Sequence, residues 1–108
     1  MTTEKKASAK WRAATRAVRG GTARSGFNET SEAIFMNSGY VYDSAAEAEA
    51  SFDGTGPERF VYSRFANPTV GMFEERLALL EGAAYCRATA SGMSAVWNAL
   101  IACTKAGG

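Results

Sequence analysis

The amino-acid sequence predicts an α/β protein from three features of its last third. Two segments, at about 67–82 and 91–106, carry apolar residues at helical spacing, and the stretch 85–90 between them is short enough to be a strand. One short strand cannot form a sheet, because a parallel strand needs neighbours beside it and helices over its faces. We therefore expect the chain to be a fragment of a larger α/β unit, or to fold only against a partner.

Both predicted helices have recognisable ends. The first begins at Asn67-Pro68-Thr69, since proline suits the first helical turn, and ends at Gly82. The second begins near Ser91 and ends at Gly107-Gly108. The apolar face of the first consists of Val70, Phe73, Leu77 and Leu80, with Glu74, Glu75 and Arg76 on its outer face. The apolar face of the second consists of Met93, Val96, Trp97, Leu100, Ile101 and Thr104.

The sequence before these helices has little core-forming periodicity. Glycines mark a loop over 19–26. Asp43 or Ser44 is placed to cap a short helix over 45–50, because a short side-chain oxygen can accept the free N–H groups of a helix start. The residues 53–57, Asp-Gly-Thr-Gly-Pro, then end it.

Charge is unevenly distributed, although the net charge is only +1. Residues 1–24 hold seven basic side chains against the single acid Glu4. Such an arm can bind nucleic acid or an anionic surface, and one rich in Arg, Ala, Ser and Thr also resembles an organelle transit peptide. We favour a flexible, solvated tail over residues 1–18, with at most a short helix and no nucleic-acid partner, because Trp11 is its only aromatic residue.

Composition excludes several other classes of protein. Hydrophobic residues make up 46% and charged residues 21% of the chain, as in ordinary globular proteins. No apolar run is long enough to span a bilayer, so we expect a cytoplasmic protein without a membrane partner. Cys86 and Cys103 form no metal-binding pattern and histidine is absent, which predicts no metal site and two buried, reduced thiols.

One motif that could bind a ligand is the turn Ala90-Ser91-Gly92-Met93-Ser94-Ala95, where a strand would end and a helix start. The free N–H groups of a first helical turn and the helix dipole together favour an anion, especially phosphate. Gly92 would let a ligand approach the backbone closely. Taken alone, an ordinary strand-to-helix turn explains the motif as well.

A second motif is Tyr62-Ser63-Arg64-Phe65-Ala66-Asn67-Pro68-Thr69. Arg64 can hold a phosphate through two parallel charge-assisted hydrogen bonds, and Tyr62 can add a hydroxyl from the same side of an extended segment. Taken alone, a loop with an exposed arginine and a packed tyrosine explains the motif better.

In this order, however, the two motifs resemble one family. The Cys/Met-metabolism pyridoxal-phosphate (PLP) enzymes carry a Y-x-R-x-x-N-P-T segment and a helix, then a short strand and an S-G-M-small-A turn. This chain has YSRFANPT and SGMSA, with EERLALLEGA between them, and the resemblance runs from about Val18 to Gly108. The preceding stretch is most similar to the O-succinylhomoserine sulfhydrylases within the family.

The resemblance implies a fold and a set of roles. Gly92 and Met93 would bind the PLP phosphate through backbone N–H groups, while Tyr62 and Arg64 would reach the phosphate of a neighbouring subunit's cofactor. Tyr62 would also take part in proton transfer at the reacting amine. The fold would be an aminotransferase-like α/β large domain (PLP fold type I), incomplete in this chain. Residues 19–66 would form an arm on the partner subunit and 67–108 the start of the PLP-binding domain.

The family reaction implied is the replacement of the γ-succinyl group of O-succinylhomoserine by sulfide, which gives homocysteine for methionine biosynthesis in a homodimer or homotetramer. The chain departs from the family pattern in one respect. It has no counterpart of the lysine that holds PLP as a Schiff base, since Lys105 is the only lysine after Lys10 and lies in no matching motif. We therefore expect an N-terminal fragment that is inactive alone.

Two alternatives remain open at this stage. A sibling reaction, of the cystathionine γ-synthase or γ-lyase type, depends on residues that this chain does not contain. A non-catalytic module that binds through its basic arm would instead associate with nucleic acid in a strongly salt-dependent manner.

Overall fold

The computed structural model of the chain describes residues 10–105. Within that range it contains four helices: α1 (Ala13–Arg19), α2 (Ala45–Phe52), α3 (Pro68–Glu81) and α4 (Gly92–Cys103). The described residues form no β-strand, and one isolated antiparallel bridge joins Gly39 to Tyr62. None of the four helices is long and apolar enough to cross a membrane.

The strand predicted at 85–90 is therefore wrong for this structure, and the α/β class is not confirmed by residues 10–105. The physical reason is that a β-strand exists only as part of a hydrogen-bonded ladder. Nothing in the described part of the chain pairs with 85–90, so these residues form an irregular connection between α3 and α4.

The predicted start and end of α3 are confirmed. Asn67 is the N-cap, and its side-chain oxygen accepts a hydrogen bond from the N–H of Thr69 at 2.9 Å. Pro68 occupies the first helical position, where its missing N–H costs no hydrogen bond. Gly82 ends the helix in the left-handed region with φ 67°, and its N–H bonds to the Ala78 carbonyl.

The other predicted caps are also confirmed. Ser44 caps α2 by accepting from the N–H of Glu47, and Ser91 caps α4 by accepting from the N–H of Ser94, each at 3.1 Å. The α4 helix ends at Cys103, where the Thr104 N–H bonds to a carbonyl of its last turn. Gly107-Gly108, predicted as its end, lies outside the described residues.

Helix α1 packs along α3, and side-chain contacts tie both α1 and the segment that follows it to α3. The Arg16 guanidinium donates to the Leu79 carbonyl at 2.7 Å, and the Arg76 Nε donates to the Gly20 carbonyl at 2.8 Å. Arg76 also pairs with the Glu32 carboxylate. The boundary predicted at residue 18 therefore falls inside a helix, and residues 1–9 of the predicted tail lie outside the described range.

The core of the described chain is small and lies on α3. Its buried apolar side chains are Met72 and Ala78, at 5% and 4% exposure. The predicted apolar face of α3 is less well covered, since Val70, Phe73 and Leu80 remain exposed. Every large side chain on the predicted apolar face of α4 is exposed: Met93, Val96, Trp97, Leu100 and Ile101.

The cysteines are free, as predicted, but their predicted burial is wrong. Cys86 is half-buried and Cys103, at the end of α4, is exposed. Cys103 is exposed because the whole of α4 lacks a covering element in the described chain. No group of three or more potential metal ligands occurs among residues 10–105.

Candidate functional site

The N-terminus of α4 presents two backbone donors that no described residue uses. Ser91 accepts the N–H of Ser94 with its side chain and that of Ala95 with its carbonyl, both at 3.1 Å. The N–H groups of Gly92 and Met93 have no acceptor in residues 10–105. A Cβ built on Gly92 would meet nothing within 4 Å, so the space beside the Gly92 Cα is open. Two free donors at the positive end of a helix can bind one anion.

The segment that leads to this helix is held by Glu74 of α3. One carboxylate oxygen of Glu74 accepts the N–H of Ala88 at 2.8 Å, and the other accepts from Arg87 at 2.9 Å. The Thr89 hydroxyl then donates to the Ser91 carbonyl at 2.9 Å. These bonds fix the chain immediately before Gly92.

This role of Glu74 is not apparent from the sequence, where helical spacing placed Glu74 and Arg76 on the outer face of α3. That placement is wrong: only 14% of the Glu74 side chain is exposed, and Arg76 bonds to the chain that follows α1. No local signal could have shown it, since the partners of Glu74 lie 13 and 14 residues away.

The Tyr62 and Arg64 side chains lie together on an exposed loop. The Arg64 guanidinium carbon is 5.2 Å from the centre of the Tyr62 ring and 5.5 Å from that of the Phe65 ring, which is cation–π distance. Arg64 forms no ion pair or hydrogen bond within residues 10–105. Its charge is therefore available for an anion.

Asn67 joins this loop to α3. Its amide nitrogen donates to the Phe35 carbonyl and to the Ser63 hydroxyl, each at 3.0 Å, while its oxygen caps the helix. The residue is 7% exposed, so its polar atoms depend on these partners. The Tyr62–Arg64 loop is thus fixed relative to the start of α3.

The structure does not bring the two motifs into contact within one chain. No hydrogen bond, ion pair or ring contact joins Tyr62 or Arg64 to Gly92 or Met93 among the described residues. Helix α3 connects them instead: Asn67 ties its N-terminus to one motif, and Glu74 ties its middle to the approach to the other. Their meeting on one phosphate, through two subunits, stays a prediction.

The sequence of the chain as a whole matches one family. A sequence model of the Cys/Met metabolism PLP-dependent enzymes matches residues 14–108. The chain belongs to this family. It is 60% identical over 94 residues to the O-succinylhomoserine sulfhydrylase of Mycobacterium tuberculosis and 50% identical over 93 residues to that of Pseudomonas aeruginosa. It is also 35% identical over 94 residues to the L-methionine gamma-lyase of Porphyromonas gingivalis.

These alignments cover most of this chain and a small part of each relative. They span 86–87% of the chain but 23% of each of the three relatives. A crystal structure assigned to an O-acetylhomoserine (thiol)-lyase of Campylobacter jejuni superposes with a TM-score of 0.74 at 33% identity, covering 85% of this chain and 23% of that one. That structure contains a pyridoxyl-lysine phosphate.

PLP is the cofactor of this family, and the described residues fit one part of it. Within residues 10–105, the N–H groups of Gly92 and Met93 have no acceptor, Gly92 borders open space and the Arg64 guanidinium has no ion pair, and these features suit its phosphate. The fit does not extend to the cofactor's aldehyde. The lysines of residues 10–105 are Lys10 and Lys105, and neither lies in a motif that matches the family's anchoring lysine.

Proposed function

We propose that this chain forms the phosphate-binding part of a PLP-dependent O-succinylhomoserine sulfhydrylase, a cytoplasmic enzyme that replaces the γ-succinyl group by sulfide and yields homocysteine. The observation that carries the proposal lies at the N-terminus of α4, where the N–H groups of Gly92 and Met93 have no acceptor among the described residues. The two O-succinylhomoserine sulfhydrylases at 60% and 50% identity support the choice of substrate.

Each motif has a distinct role in this proposal. Gly92 and Met93 hold the phosphate through their N–H groups in their own subunit. Arg64 neutralises the phosphate of a neighbouring subunit's cofactor, and Tyr62 holds or moves a proton at the substrate amine. The bound cofactor supplies the electron sink for the reaction, and these residues fix its position.

The division of the chain follows from the same proposal. Residues 19–66 form the arm on a partner subunit of a homodimer or homotetramer, and residues 67–108 begin the PLP-binding domain. The exposure of Phe27, Met36 and Val41, at 89–94%, supports an arm that another chain covers. Residues 1–18 remain a basic extension, of which 13–18 belong to α1.

A second candidate is a γ-lyase activity, which the 35% identity to an L-methionine gamma-lyase favours. Both reactions use the cofactor and remove a group from Cγ of the substrate. They differ in whether a nucleophile replaces that group, so the requirement for sulfide distinguishes them.

The test is a chimera in which residues 14–108 replace the matching segment of the Mycobacterium tuberculosis relative. We expect the PLP-loaded chimera to form homocysteine from O-succinylhomoserine only when sulfide is present. A folded, PLP-loaded chimera that forms no homocysteine when sulfide is present would contradict the proposal. The 108-residue chain alone should form no homocysteine, because it lacks the anchoring lysine.

A further inference from the structure

We propose that Glu74 is a positioning residue, which holds the N-terminus of α4 in the orientation that binds phosphate. This inference rests on the proposed function, because it concerns how the N–H groups of Gly92 and Met93 are directed. Glu74 itself lies on α3 and would touch neither cofactor nor substrate.

The first observation is that Glu74 uses both oxygens on one short segment. One accepts the Ala88 N–H at 2.8 Å and the other accepts from the Arg87 guanidinium at 2.9 Å. Its side chain is 14% exposed, whereas that of Arg87 is 82% exposed. A surface ion pair contributes little, while a carboxylate that accepts a backbone N–H in a protected place forms a strong hydrogen bond. The bond from Ala88 is therefore the contact through which Glu74 mainly restrains this segment.

The second observation is that this segment has few backbone hydrogen bonds within the described chain. Among the backbone N–H groups of 84–90, that of Ala88 is the one with a hydrogen-bond acceptor in residues 10–105. Ala88 lies three residues before Ser91, and the Thr89 hydroxyl bonds to the Ser91 carbonyl at 2.9 Å. Glu74 thus restrains the backbone just before the cap of α4.

Three variants separate the contributions of these two bonds. Glu74→Ala removes both bonds. Glu74→Gln keeps an oxygen that can accept the Ala88 N–H but loses the charge, and Arg87→Gln removes the ion pair alone. Glu81→Gln is the matched control, since Glu81 lies on the same helix, is exposed and has no partner among the described residues.

The experiment follows two local signals in the ¹⁵N-labelled 108-residue chain: hydrogen exchange at the Ala88 amide, and the shifts of the Gly92 and Met93 amides on titration with inorganic phosphate. We expect Glu74→Ala to speed exchange at Ala88 by about tenfold or more, the effect of losing a charged hydrogen bond. Its phosphate affinity should fall by about tenfold, the scale on which supporting partners act on a ligand site. Glu74→Gln should restore part of both signals, and Glu81→Gln and Arg87→Gln should change neither more than about twofold.

The outcomes separate this inference from the proposed function. If phosphate shifts Gly92 and Met93 in the unmodified chain and Glu74→Ala leaves both Ala88 exchange and phosphate affinity unchanged, the role of Glu74 is overturned and the proposed function stands. Faster exchange at Ala88 with unchanged phosphate affinity also overturns the role, because Glu74 is then merely structural. A chain in which phosphate shifts neither amide overturns both.

Discussion

Helices α3 and α4 have similar apolar patterns but different surroundings. Helix α3 carries the buried apolar side chains of the described chain, Met72 and Ala78, and is bonded to the preceding segments through Arg16, Arg76 and Asn67. Helix α4 has no buried residue, and its Trp97 is 64% exposed. An apolar helical face in a sequence therefore predicts that the face is buried in the folded protein, but it does not identify the residues that bury it.

This contrast agrees with the share of the relatives that the chain represents. The segments that pack on α3 lie before it in sequence and are present here. Nothing in the described residues packs over the apolar face of α4, and the alignments reach 23% of the length of the relatives. Burial of apolar surface contributes about 25 cal/mol of stabilising free energy for each Å² removed from water. The exposed apolar face of α4 therefore favours docking on a further element.

The largest expected effect comes from the contact of Gly21 with α3. Gly21 has φ +69°, and a Cβ there would lie 2.8 Å from the Met72 carbonyl oxygen and 2.9 Å from the Glu75 Cβ. We expect Gly21→Ala to lower the free energy of unfolding by about 3 kcal/mol, from backbone strain plus overpacking. Urea denaturation followed by circular dichroism measures this.

Gly54→Ala is the matched control for that prediction. Gly54 has the same φ of +69° but has open space around its Cβ position. Its cost should be the conformational cost alone, about 1 kcal/mol. Equal losses for the two variants would show that the segment after α1 does not pack on α3 in solution.

A second pair of variants compares the two helices directly. Met72→Ala should cost about 2 kcal/mol, because it removes a buried side chain of the small core. Trp97→Ala removes a larger side chain but should change the free energy of unfolding by no more than about 0.5 kcal/mol, because that side chain is exposed. A larger loss for Trp97→Ala, measured by the same denaturation, would mean that α4 is covered.

Loss of the N-cap of α4 should have a smaller effect on stability, confined to that helix. Ser91→Ala removes the acceptor for the Ser94 N–H and should weaken α4 by about 1 kcal/mol, visible as faster hydrogen exchange in its first turns. Ser91→Thr keeps an oxygen at that position and should retain most of the protection. Unchanged exchange in Ser91→Ala would contradict the capping role.

The smallest effect concerns pH and lies in α2. The Asp43 N–H, and then the charge of Arg59, hold the pKa of the Glu47 carboxyl below its ordinary value. Because the pKa is depressed in the folded chain, this stabilisation is present above the ordinary carboxyl pKa, about 4.3, and is lost as the pH falls through the lowered value.

Acidification through that range should reduce the helicity of α2, and Glu47→Gln should abolish this part of the pH dependence. The chemical shifts of the α2 amides report it. An identical acid transition in Glu47→Gln would assign the effect to another carboxyl.

The sequence predicted the local chemistry of the fold well, and tertiary partners poorly. The caps at Ser44, Asn67 and Ser91 and the end at Gly82 are local events, set by a few neighbouring residues, and all are confirmed. The predicted strand at 85–90 is wrong because a strand depends on a distant partner, and the predicted burial of Cys103 is wrong because no described residue buries any side chain of α4.

For the candidate site, the sequence identified the two motifs and the cofactor family but not what positions them. Arg64 and Gly92 stand out through their residue types and order. Asn67 was predicted to shape a helix start, whereas its bond to the Phe35 carbonyl spans 32 residues and follows no pattern. The hydrogen bond from the Ala88 N–H to Glu74 spans 14 residues and likewise follows no pattern in the sequence.

The most direct test is a crystal structure of the PLP-loaded chimera that carries residues 14–108. We predict that one phosphate accepts hydrogen bonds from the Gly92 and Met93 N–H groups of one subunit and from the Arg64 guanidinium of its neighbour. A phosphate bound elsewhere, or an Arg64 engaged with a carboxylate inside its own subunit, would contradict the account.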